Sequence, residues 1–135
     1  MSTLYTEDEM TAILTMTDED LLEYFLFRIA EMDEVCGLKQ GPHWITREIK
    51  EQHTLPVWPF KSFAAMTAID EWQHLKPVAE SIEFFMYRIL NKQIEQGVMI
   101  EIMPRKTGAG CLISPQRLLN YLEDMRDSSE CMVGD

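Results

Sequence analysis

The sequence is poor in the residue patterns that usually announce chemistry. Its three cysteines, Cys36, Cys111 and Cys131, are odd in number, far apart and free of any CxxC or Cys/His grouping. That argues against a disulfide framework and makes a reducing compartment the default. His43, His53 and His74 show neither HExxH nor His-x-His spacing, so they offer no metal motif. The GAG at 108–110 lacks the Lys and Ser/Thr that complete a phosphate loop, and it falls between two apparent strands, so it reads as a turn. No serine sits in a nucleophile-elbow pattern. No catalytic residue, cofactor-binding residue or metal ligand is therefore assigned. No run of 18 apolar residues is present, which excludes a membrane-spanning helix from the expectations. The opening MSTLYTEDEM lacks a basic n-region and an apolar h-region, so a cytoplasmic location is expected.

Basic residues are also scarce. Twelve Lys and Arg stand against 23 Asp and Glu, for a net charge of −11. Arg105-Lys106 is too small a cluster for a nucleic-acid footprint, and the overall balance argues against phosphate-backbone binding. What is present is acid, unevenly placed. Residues 1–20 carry Glu7, Asp8, Glu9, Asp18, Glu19 and Asp20 with no lysine or arginine, residues 127–135 carry three more acids, and the middle of the chain is nearly neutral. Such ends permit electrostatic attraction to a basic protein partner. They also suit helix starts, because carboxylates complement the positive N-terminal end of a helix. Thr6-Glu7-Asp8-Glu9 has the spacing of a capping box, and Thr17-Asp18-Glu19-Asp20 repeats it with a weaker third position.

At 135 residues, 46% hydrophobic and 26% charged, the chain suits one soluble domain with a sizeable core. Leu21, Leu22, Phe25, Ile29 and Met32 recur at helical spacing and predict an amphipathic helix ending near Asp33. Strands are expected at 35–39, 44–49 and 54–58, with Gln40-Gly41-Pro42 as the first turn. A helix over 62–71 follows. Lys76-Pro77 forces an extended residue, and Ser81 caps a long helix that ends before Gly97. VMIEIMP and GCLIS read as strands joined by the turn RKTGAG. Ser114-Pro115 opens a last helix ending near Arg126. The predicted class is α+β, a single two-layer domain over 1–126, with a small, mainly antiparallel sheet and helices packed on one face. Residues 127–135 are expected to be a flexible acidic tail.

One stretch, LPVWPFKSFAAM at 55–66, places two prolines around an aromatic junction. Pro56 inside a strand predicts an edge or bulged position. Pro59 ends that strand, and Trp58, Phe60 and Phe63, with Trp72 beyond them, are expected to plug the strand–helix corner. The same residues carry a resemblance. Leu55-Pro56-Val57-Trp58-Pro59-Phe60, then Phe63-Ala64, a Trp at 72, a Pro, a long helix and a strand closing on Pro104 resemble the small bacterial family known as domain of unknown function 2750. EYFLFRIAEMDEVCGLKQGPHWI is similar to that family's opening helix and strand pair. The resemblance covers roughly residues 20–123. An added acidic N-terminal segment and Cys36, where an aromatic is more usual, depart from it. It implies the fold and boundaries and brings no activity.

Two function classes remain open. The first is a non-enzymatic protein-binding module, an inhibitor or immunity protein that blocks a basic toxin or effector enzyme through Glu7, Asp8, Glu9, Asp18, Glu19 and Asp20. The second is a small-molecule-binding domain or enzyme with a site near Trp58 and Trp72. An acidic DNA mimic is a variant of the first.

Overall fold

The computed structural model describes residues 11–49, 51–68, 72–105 and 110–133, with side chains through Asp127. In chain order the elements are helix α1 (Asp18–Met32), strands β1 (Glu34–Gln40), β2 (His43–Trp44), β3 (Arg47–Ile49) and β4 (Gln52–Val57), helix α2 (Lys61–Thr67), strand β5 (Lys76–Ser81), helix α3 (Ile82 to Gln96), strands β6 (Met99–Ile102) and β7 (Cys111–Ile113), and helix α4 (Pro115–Val133). The fold is α+β, as the sequence predicts.

Local chemistry explains the helix boundaries. The Thr17 hydroxyl accepts the Asp20 N–H at 3.1 Å, which satisfies one of the donors that a helix start leaves open. Leu21, Phe25 and Ile29, spaced by four, form the buried stripe of α1. The helix stops where Asp33 turns left-handed, with φ 56°. Ser81 and Ser114 cap α3 and α4 through the N–H groups of Phe84 and Arg117, each at 3.1 Å. Gly97, at φ 69°, ends α3, a conformation that glycine adopts without a Cβ clash.

The strands form two sheets where the sequence predicts one. The first has the order β2-β1-β5 and is antiparallel throughout. The second has the order β3-β4-β6-β7, with β4 and β6 parallel and the other pairs antiparallel. The strand expected over 44–49 is divided between them. Trp44 closes the β1–β2 hairpin, Ile45 donates its N–H to the Leu38 carbonyl at 2.8 Å, and the chain then departs to pair Arg47–Ile49 with β4. Strand β5 is an addition to the expected elements. Pro77 obscures it in the sequence, yet every residue from Lys76 to Ser81 pairs with β1.

Strand β4 corrects the expectation for Pro56. It is an inner strand, and Pro56 faces Glu101 in the parallel ladder with β6. Proline is tolerated because the pairing with β3 ends at Thr54, so the flank of β4 at Pro56 has no strand awaiting a donor. Just beyond, Cys36 and Trp58 exchange backbone hydrogen bonds of 2.9 Å in each direction, and this bridge ties the two sheets together. Helix α1 packs on β1, β6 and β7, α2 on β1 and β5, and α3 on α4. Helix α4 continues to Val133, beyond the expected end near Arg126. No glycine or proline interrupts 116–133, so nothing in the chain breaks it earlier. The predicted cap at Thr6, the end of the helix expected at 62–71 and the turn at 106–109 lie outside the described residues.

Candidate functional site

The acids named from sequence divide at the edge of the described chain. Glu7, Asp8 and Glu9 lie outside it. Asp18, Glu19 and Asp20 form the exposed first turn of α1, where they complement the helix dipole. Among the corner residues, Trp58 is 1% exposed and its indole Nε1 donates to the Pro104 carbonyl at 3.1 Å. Phe60 and Phe63 are buried with ring centroids 5.4 Å apart, and Pro56 and Pro59 are buried beside them. Trp72 belongs elsewhere. It is half-buried and stacks on the Arg47 guanidinium, 4.9 Å from ring centroid to Cζ. Trp58 lines a small apolar cavity with Ile13 and Met103, whereas Trp72 lines a groove with Arg47 and His74. The two tryptophans do not share a pocket.

The Trp72 groove covers a buried ion pair. Glu101 has no exposure, yet both its carboxylate oxygens are engaged. Arg47 reaches both of them, through Nε at 2.9 Å and through Nη2. The Thr54 hydroxyl lies 3.3 Å from Oε1, and the Gly110 N–H donates to Oε2 at 3.0 Å. A Cβ at Gly110 would stand 2.0 Å from the Ile102 carbonyl oxygen, so only glycine brings that N–H to the carboxylate. A fully satisfied buried pair is a means of fixing geometry, not a vacancy for a ligand. It locks β3 to β6 across β4.

A different place collects groups without partners. Between the β1–β2 hairpin and α3 lies a cleft of about 350 Å³. The hairpin contributes Lys39, Pro42, His43 and Trp44, while α3 contributes Phe84, Arg88, Ile89, Lys92 and Gln93. Leu55 and Glu80 also line it. Three basic side chains therefore converge with one histidine and one carboxylate, in a chain whose acids outnumber its bases by almost two to one. Elsewhere Arg28, Arg47 and Arg126 are paired with Glu31, Glu101 and Glu83. Among the described residues, no carboxylate lies within ion-pair distance of Lys39, Arg88 or Lys92. Gln93 is 5% exposed, and among the described residues its Oε1 has no hydrogen-bond partner. A buried acceptor left open costs about 1–3 kcal/mol, so its place in the wall of a cleft is informative.

The backbone explains how these groups meet. Residues Phe85–Leu90 in the middle of α3 are π-helical. The wider turn inserts one residue, which rotates the downstream half of the helix by about 100° relative to an uninterrupted α-helix. Arg88 lies within this turn, and Lys92 and Gln93 come after it. Asn91 donates its side-chain amide to the Tyr87 carbonyl at 3.1 Å, supplying a partner in the disturbed ladder. On the opposite wall, Trp44 rests on Gly37, where an added Cβ would come within 2.3 Å of the indole. Its ring also meets Phe85 at 6.1 Å between centroids, so the hairpin and helix are pinned to each other.

Sequence reasoning missed this cleft. Lys39, Arg88 and Lys92 are separated in sequence, and the π-helical turn has no short signature. The available signal was the i, i+4 pair Arg88 and Lys92, a like-charge arrangement that disfavours a free helix.

The two described cysteines take no part in the cleft. Burial pushes the Cys36 thiol up to about 12, with Glu34 adding to the rise and Lys61 opposing it. Burial also raises Cys111, aided by Asp18 and opposed by Arg117. Both remain protonated thiols at neutral pH and are poor nucleophiles. Among the described residues, no group of three His, Cys, Asp or Glu side chains could hold a metal ion, and no helix is long and apolar enough to cross a membrane.

A family model described as "Protein of unknown function (DUF2750)" matches residues 22–122. No curated protein and no solved structure matches the chain. All the cleft residues fall inside the matched stretch, whereas Asp18, Glu19 and Asp20 precede it.

Proposed function

Because the chain belongs to the DUF2750 family, whose function is unknown, we propose its role from the geometry: it is a non-enzymatic binding protein that takes a small anionic ligand in the cleft between the β1–β2 hairpin and α3. The observation that carries this reading is the convergence of Lys39, Arg88 and Lys92, none with an ion-pair partner among the described residues, in an otherwise acidic chain. Unneutralised like charges repel one another, and an anion relieves that repulsion while accepting charge-assisted hydrogen bonds. The inert thiols outside the cleft fit a binding role. Titration of the ¹⁵N-labelled protein with pyrophosphate tests the proposal. Resonances of Lys39, Trp44, Arg88 and Lys92 should shift together, and the double variant Arg88→Glu/Lys92→Glu should abolish the shifts. Shifts scattered over the surface, or unchanged in the variant, refute it.

A second reading keeps the acidic turn. Asp18, Glu19 and Asp20 are exposed and contiguous, which supports an inhibitor or immunity protein that approaches a basic toxin or effector by electrostatic steering. Reversing these three charges should then lower the association rate with a captured basic partner, and added salt should lower the wild-type rate. An association rate indifferent to both changes leaves these acids only their capping role.

A further inference from the structure

We propose that the ligand of the cleft is a nucleoside monophosphate, with its phosphate held by Lys39, Arg88 and Lys92 and its base placed between Trp44 and Phe84. The inference rests on the reading of the cleft as an anion site and extends it to the rest of the ligand. Three features beyond the charges support it. Three cations against the single carboxylate of Glu80 exceed what a carboxylate monoanion requires and suit a phosphate dianion. The walls present aromatic surface on both elements: Trp44 is half-buried on the hairpin, and Phe84 is 43% exposed on α3. Bases stack on aromatic side chains whatever their sequence, and these two rings offer such surface on facing walls. Finally, Gln93 lines the cleft with its Oε1 shielded from solvent and without a hydrogen-bond partner among the described residues, so a turn of this side chain into the cleft would present it to a ligand's donor. Inorganic phosphate at the cationic end has no need of such a contact, whereas the N–H groups on a base edge supply it, and amide side chains pair with bases in this way. The cleft volume of about 350 Å³ lies at the small end of ligand pockets, suited to a nucleoside bearing a single phosphate and not to a longer chain.

The decisive comparison is among nucleoside monophosphates, ribose 5-phosphate and inorganic phosphate, by calorimetry and by ¹⁵N NMR on the whole chain. At least one of AMP, GMP, CMP and UMP should bind ten-fold or more tightly than ribose 5-phosphate. It should also shift both the Trp44 indole N–H and the Gln93 side-chain amide. Gln93→Leu replaces an open buried acceptor with apolar surface, so the free protein should keep or gain thermal stability while losing at least five-fold in nucleotide affinity and nothing for ribose 5-phosphate. Should Gln93→Leu fail to fold, Trp44→Leu reads the same loss from the opposite wall. Equal affinity for nucleotide and ribose 5-phosphate overturns the nucleotide assignment and leaves the anion cleft standing. If none of the phosphates binds, both the nucleotide and the anion site are overturned.

Discussion

Replacing Glu101 by alanine should cost the protein about 3 kcal/mol. The carboxylate has no exposure and serves three donors: the Arg47 guanidinium, the Thr54 hydroxyl and the Gly110 N–H. Removing one member of a buried ion pair typically costs about 3–5 kcal/mol, because the partner charge stays behind uncompensated. Arg47 moderates that figure. Its side chain is 32% exposed and stacked on Trp72, so part of the guanidinium can rehydrate through the groove. The Thr54 hydroxyl retains a second contact with the Arg47 carbonyl at 3.3 Å. Gly110 has no such relief. It is buried, and an orphaned N–H there adds about 1–3 kcal/mol. The balance falls at the low end of the range for broken buried pairs. Glu101→Gln preserves the shape and one acceptor and should cost about half as much. Urea denaturation followed by circular dichroism gives these differences from midpoints at constant slope. Arg47→Met in the Glu101→Leu background should restore most of the stability lost by Glu101→Leu alone, because no unpaired charge then remains. A loss below about 1 kcal/mol for Glu101→Ala, or a double variant no more stable than Glu101→Leu, would show that the network is solvated and does not fix the sheet.

Trp58→Ala should destabilise the chain by about 3–5 kcal/mol, the usual cost of truncating a core aromatic, with loss of the hydrogen bond to Pro104 included; chemical denaturation measures it. Gly37→Ala should cost about 1–3 kcal/mol by overpacking, and it should move the Trp44 indole resonance, since the new methyl collides with that ring. Cys36 predicts an alkaline dependence. Its folded pKa is about 12 against an ordinary 9.0, so above pH 9 the unfolded chain loses a proton that the folded chain keeps, and stability falls as pH rises. Between about pH 8 and pH 10 the wild type should lose about 1 kcal/mol more than Cys36→Ala, read as the difference between their thermal or urea midpoints across that interval.

The helices and most strands were legible because their signals are local. Thr17, Ser81 and Ser114 cap the helices predicted from them, and Leu21, Phe25 and Ile29 form the stripe that their spacing implies. The features that escaped depend on knowledge of partners. Trp44 and Arg47 lie three residues apart in an apparently continuous strand, but hydrogen bonding assigns them to different sheets. Pro77 suggests only extended chain, although β1 supplies a full antiparallel partner for Lys76–Ser81. Pro56 suggests an edge because sequence cannot show that a neighbouring strand ends two residues earlier. The cleft was illegible for the same reason. Its cations come from β1 and from two positions of α3, and their convergence depends on a π-helical turn created by packing.

The parallel pairing of β4 with β6 has a consequence for the order in which the chain assembles. Thr54 lies beside Met99, so this ladder cannot close until α2, β5 and α3 have been laid down between them. The β1–β5 ladder, Glu34 beside Ser81, encloses β2, β3, β4 and α2 in turn. The two long-range closures thus overlap: each draws together the ends of a loop that contains one strand of the other. Loop-closure entropy is lost before either set of contacts offsets it, which slows folding relative to a meander of hairpins. The Cys36–Trp58 bridge is the contact at which the two loops meet. A chain that has joined these residues has shortened the remaining path between β1 and β5, while the closure of β4 on β6 keeps its full length, so this junction favours growth of the first sheet before the second.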